Sequence, residues 1–196
     1  MTASCEEDFL PVDEIIKSGH VTKGVDAFSL SLLRAERQMR RLFTYLIFQS
    51  TAFGPQDVKA LRDALGAQGR IYFRHFEAGI GELSGTEIAV LVGTQHPKLQ
   101  NQLVEAMEAR NKIFHGQLTS DRNDTTMLLQ HVSNIRDWCR QLANGAQNTF
   151  GYDGFRRPSS FKKAPLGIQL SDRVTRLIAN VPAYEAFLIQ LARRRP

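Results

Sequence analysis

The chain reads as all-α, a four-helix bundle followed by a C-terminal extension that carries a basic loop and short helices. Three observations lead there. Apolar residues recur at steps of three and four over three long stretches. Pro and Gly gather at the edges of those stretches. No segment alternates at period two, the pattern of a half-buried strand.

Residues 1–27 are weakly patterned, with one short helix expected over Pro11 to Lys17. The first strong element spans Ser29 to Ser50, where Leu32, Ala35, Met39, Leu42 and Leu46 form a stripe and Arg34, Arg37, Gln38 and Arg41 lie off it. Phe53-Gly54-Pro55 stops it, and Pro55 opens a second helix to about Leu65. A further helix is expected over Arg70 to Ala78, with Gly79, Gly81 and Gly85 marking a loop. After Pro97 the stripe is Leu99, Leu103, Ala106, Arg110 and Ile113, closed by Gly116 and the polar loop QLTSDRND. Asp124 is the expected N-cap of the next helix, whose stripe is Leu128, Val132, Ile135, Trp138 or Cys139, and Leu142. Asn144-Gly145 ends or loosens it. A loop rich in Gly and Pro follows, then short helices near 171–180 and 182–193. The division expected is an N-terminal segment (1–28), a bundle (29–145) and a basic extension (146–196).

A length of 196 residues, 42% of them hydrophobic and 23% charged, suits one globular domain. The longest strongly apolar run, Leu42 to Phe48, is far short of the roughly 20 residues that span a bilayer. The acidic start MTASCEEDF is unlike a secretory signal, and Cys5 and Cys139 match no metal spacing, so free thiols in a reducing cytoplasm are expected. The net charge of +5 is unevenly spread. Residues 151–196 hold nine Lys or Arg against three Asp or Glu, so the excess positive charge lies in the last quarter and points to a polyanionic partner.

The chemistry-bearing stretch is EARNKIFHGQLTS, 108–120. Arg110 stands where the stripe calls for an apolar residue, and a buried guanidinium needs an anion, a helix end or a partner chain. Asn111 and His115 are four apart, so they neighbour each other on a helix. Arg110 and His115 are five apart, about 140° around the axis. They converge on one ligand if the helix unwinds near Gly116 or if a second chain supplies the other half. A histidine with an ordinary pKa near 6.5 can carry a proton, and an arginine fork can hold a phosphate as its charge builds. Chance gives roughly 0.5 Arg–His pairs at this spacing in such a composition, and roughly 0.02 once Asn must follow the Arg. Arg70 and His75 share the spacing but lack the Asn and read as structural.

Arg110, Asn111 and His115 resemble the signature of the HEPN superfamily, all-α domains of toxins, antiviral effectors and RNA-processing nucleases. That motif is an Arg, usually followed by a polar residue, then a His, where the third bundle helix meets the fourth. The resemblance covers about residues 29–145. It implies a HEPN-type bundle, a homodimer with a shared cleft, and metal-independent cleavage of single-stranded RNA by 2′-hydroxyl attack, without a cofactor. Arg110 and His115 are the implied catalytic pair, with Asn111 fixing the imidazole. Glu36 is a candidate carboxylate that orients the pair from the first long helix. Where toxins of this family often carry a Tyr two residues after the His, this chain has Gln117, which puts neutralisation by nucleotide attachment in doubt. An antitoxin or regulatory protein is nonetheless an expected partner.

In the extension, Tyr152, Phe155 and Phe161 alternate with Arg156, Arg157, Lys162 and Lys163, a pattern suited to single-stranded RNA. The plain alternative is a loop docked by its aromatics. Arg193, Arg194 and Arg195 add to the patch or fray. Two other functions compete with the nuclease, a catalytically inactive HEPN-like module that binds RNA or protein, and a helical adaptor whose basic tail meets DNA.

Overall fold

The computed structural model describes residues 3–116, 122–156 and 159–194. Among them are helices and turns and no strand, as the sequence predicts. The helices are α1 (Ala3–Lys17), α2 (Lys23–Ile47), α3 (Val58–Gly66), α4 (Phe73–Ser84), α5 (Ile88–Val92), α6 (His96–Phe114), α7 (Arg122–Phe150), α8 (Ser171–Leu177) and α9 (Val181–Arg193). No helix among the described residues is long and apolar enough to cross a membrane.

The spine of the molecule is α2 against α7, and the two run parallel, since Gly24 lies against Thr125, Phe28 against His131, Gln38 against Cys139 and Tyr45 against Phe150. α1 and α4 also pack on α2, and α5 and α6 also pack on α7. The three stripes read from the sequence build this core. Leu32, Ala35, Met39, Leu42 and Leu46 are buried, as are Leu99, Leu103 and Ala106, and Leu128, Val132, Ile135, Trp138, Cys139 and Leu142. The burial of apolar area against water holds these faces together.

Several boundaries move. α1 begins at Ala3 and runs through Pro11, although an interior proline costs a helix about 3 kcal/mol. Cys5, Phe9 and Val12, all fully buried, offset that cost. Its acidic face meets arginines of the spine. Asp8 lies 3.1 Å from Arg37 and 3.3 Å from Arg34, Glu6 lies 2.8 Å from Arg140, and Asp13 pairs with Arg136. α7 starts at Arg122, so Asp124 lies within the helix and is not its cap. Asn144-Gly145 does not end it. α4 runs through Gly79 and Gly81, where a loop was expected, and only Gly85 closes it. α5 follows, and Gly145 is what lets α7 pass α5: a Cβ there would fall 1.9 Å from the Leu91 carbonyl oxygen. The expected divisions at 28/29 and 145/146 both fall inside helices, and all three segments feed one hydrophobic core.

His131 is a structural residue with a pH signature. It is buried, its ring centroid is 5.8 Å from that of Phe28, and its Nδ1 meets no partner among the described residues. Burial lowers its pKa, opposed in part by Glu105. The unfolded chain therefore takes up the proton first, and stability is lost as pH falls through the unfolded-state value. The melting temperature of the wild type should drop more between about pH 7 and about pH 5 than that of His131→Gln. Equal drops would reject this assignment.

Candidate active site

Leu99, Leu103 and Ala106 orient α6 by packing inward, and the next position along that stripe is Arg110. Its Nη1 sits 3.4 Å from Glu36 Oε1, so the carboxylate singled out from the sequence does reach the arginine from α2. Both side chains are about two-fifths exposed (42% for Arg110, 38% for Glu36), and a pair this wet contributes only about 0–1 kcal/mol. Glu36 thus aims Arg110 without a strong hold on it, and both line a groove of about 570 Å³ between α2, α4 and the turn before α4.

Asn111 and His115 are exposed. Among the described residues no hydrogen bond joins the Asn111 side chain to the imidazole, so within one chain Asn111 does not fix the ring. His115 caps α6. Its N–H still donates to the Asn111 carbonyl at 3.1 Å with φ −90° and ψ 9°, and Gly116 then closes the helix at φ 67°. The backbone therefore keeps its helical course through His115. Arg110 and His115 stay about 140° apart around the axis and roughly 7.5 Å apart along it. Unwinding before Gly116 is not available to bring them together. Gln117 lies outside the described residues.

The loop after α7 is docked, and its aromatics are spent on packing. Tyr152 and Phe155 are buried, which corrects their expected role as stacking platforms for bases. Asp153, fully buried, accepts from the Phe155 and Arg156 N–H groups at 2.9 and 2.8 Å. Gln38, buried although it lies off the α2 stripe, donates to the carbonyls of Cys139 and Asp153. Arg41 donates to the carbonyls of Phe155 and Arg156. Lys163 is a cap and not a free cation: its ammonium donates to the carbonyls of Phe48 and Ser50, at the end of α2, at 2.6 and 2.8 Å, and burial lowers its pKa. Arg156 lies 3.9 Å from Asp153, Lys162 is exposed, and Arg157 and Arg195 lie outside the described residues. Phe161 is half-buried under the Arg62 guanidinium.

In the second Arg–His pair, His75 is buried and structural as expected, while Arg70 is exposed and precedes α4. His75 accepts from the Tyr72 N–H and meets the Arg194 carbonyl. The sequence reading passed over another feature, the run Arg37, Arg40, Arg41 and Thr44. Its spacing of three, four and seven puts those residues on one face of α2, and this was legible as a basic stripe. They line a second cavity, of about 290 Å³, that adjoins the groove of Arg110.

Compared with protein-family models, with curated proteins and with solved structures, the chain matches none.

Proposed function

We propose that this chain is a metal-independent endoribonuclease of HEPN type, a bacterial toxin or antiviral effector that cuts single-stranded RNA as a homodimer. The observation that supports it most is the Arg110–Asn111–His115 cluster, solvent-accessible at the end of α6 where the chain turns toward α7, with Glu36 beside Arg110. In the reaction, His115 takes the proton of a ribose 2′-hydroxyl, whose oxygen attacks the neighbouring phosphorus. Arg110 holds the phosphate oxygens as negative charge builds, and the 5′-oxygen of the next nucleotide leaves with a proton returned by the His115 imidazolium, which restores the neutral ring. The products are a 2′,3′-cyclic phosphate and a 5′-hydroxyl end. Because His115 and Arg110 face different sides of α6, a two-fold axis beside the helix end is what brings one chain's arginine and the other's histidine onto one phosphate.

A second reading has its own observation. Arg110 is already paired with Glu36, and the Asn111 and His115 side chains have no hydrogen-bond partner among the described residues. That is also what an inactive module that binds RNA or a protein would look like. Expression in bacteria separates the two. Wild type should arrest growth and fragment cellular RNA while His115→Ala does neither. Equal behaviour of both proteins at equal abundance would leave the binding module as the better account.

A further inference from the structure

Two adjoining cavities form a continuous trough along α2. The first, of about 290 Å³, is lined by Arg37, Arg40, Arg41, Arg62, Ser159 and Ser160. The second, of about 570 Å³, shares Arg37 and Arg40 with it and adds Glu36, Tyr72 and Arg110. The charges do not cancel. Asp8 is the carboxylate that meets Arg37, and Arg34 shares it. Arg40 has no hydrogen bond or ion pair through its guanidinium among the described residues. Arg62 lies over the Phe161 ring, 5.1 Å from its centroid, with no carboxylate in salt-bridge range among the described residues. Arg41 donates to the carbonyls of Phe155 and Arg156 at the same wall.

We propose that this trough binds the backbone of single-stranded RNA and delivers it to Arg110, an inference that rests on the ribonuclease reading for the identity of the sugar. The cations are all arginines, whose planar forks grip phosphate oxygens two at a time. The trough is elongated and passes from Ser159 and Ser160 past Arg40 to Arg110, which suits a chain of phosphates better than a single anion. Its wall carries Tyr72, an aromatic that is 61% exposed beside the Arg110 end and so offers the open face that Tyr152 and Phe155 lack. Cations tracking a backbone with an open aromatic beside them form the arrangement that holds unpaired bases. The RNA path thus runs along α2, and the basic loop after α7 serves as its rim.

The test uses the full-length wild-type chain and a fluorescent 2′-O-methyl RNA, which cannot undergo 2′-hydroxyl attack, so binding is read whether or not the protein is a nuclease. Replacing Arg40 and Arg62 by Gln should weaken binding at least tenfold. The slope of log affinity against log salt should fall by roughly 1.4, since each phosphate contact on a single strand contributes about 0.7. Tyr72→Ala should weaken binding on the order of tenfold with the salt slope intact, as loss of one stacked base requires. Arg156→Gln with Lys162→Gln should change the slope little. All these side chains are exposed, and unchanged thermal melts will certify the fold. An unchanged slope for the Arg40/Arg62 variant, or a larger change for the Arg156/Lys162 variant, overturns the proposal. So does polyglutamate that competes as well as RNA, which would assign the trough to an acidic protein.

Discussion

Purified protein is expected to cut single-stranded RNA in excess EDTA, leaving 5′-hydroxyl ends, while DNA of the same sequence survives. His115→Ala should lower the rate by about 10²–10⁴, the usual contribution of a positioned proton carrier. Arg110→Ala should cost about 10²–10³, as removal of a donor to developing charge does. Helical content should persist in both, because His115 is exposed and the Arg110–Glu36 pair contributes little to stability. Glu36→Gln should act more mildly, by misdirecting Arg110. The geometry adds a requirement on assembly. With α6 regular through His115, one chain presents its arginine and histidine to different sides, so active protein should sediment as a dimer. A monomer that cleaves RNA at working concentration would refute the shared cleft, and activity abolished by EDTA would refute the metal-free route.

The second large effect is on stability. Gly145→Ala should lower the unfolding free energy by about 3 kcal/mol or more, because overpacking a rigid core already costs about 1–3 kcal/mol. Here the added methyl would lie 1.9 Å from the Leu91 oxygen, 2.6 Å from its carbonyl carbon and 2.8 Å from its Cα. Backbone cannot rotate out of the way as a side chain can, so α5 must leave α7. For a chain of this size that cost corresponds to a melting temperature lower by roughly 6–12 °C. Gly66→Ala, at the end of α3 with nothing within 4 Å of its added methyl, is the matched control. It should raise stability by a few tenths of a kcal/mol to about 1, since it only narrows the unfolded ensemble. Thermal denaturation of the two variants beside wild type measures both, and similar small shifts would mean that α5 and α7 are not locked at this point.

The sequence by itself determined that the chain is helical and which faces turn inward, because a 3.6-residue period in apolar residues is a local property and burial rewards it directly. Leu32 to Leu46, Leu99 to Ala106 and Leu128 to Leu142 needed no partner to be read. The cluster at the end of α6 was equally local: Arg110, Asn111, His115 and the closing Gly116 lie within one stretch of seven residues. What the tertiary structure decided was everything set by partners distant along the chain. Cys5, Phe9 and Val12 have helical spacing, but Pro11 disguises it, and only a waiting core makes a helix through that proline favourable. Gly145 reads locally as a helix breaker and proves to be a contact point with Leu91, more than fifty positions earlier. Tyr152 and Phe155 look like open rings between cations until Gln38, Arg41 and Asp153 pin their loop to α2. The basic stripe of α2 looks like an ordinary solvated face until Arg62 and Ser160 fold against it and turn it into a trough. Charge and aromatic content are written along a chain, whereas access is created when the chain closes on itself, and access decides which arginines and which rings can meet a ligand.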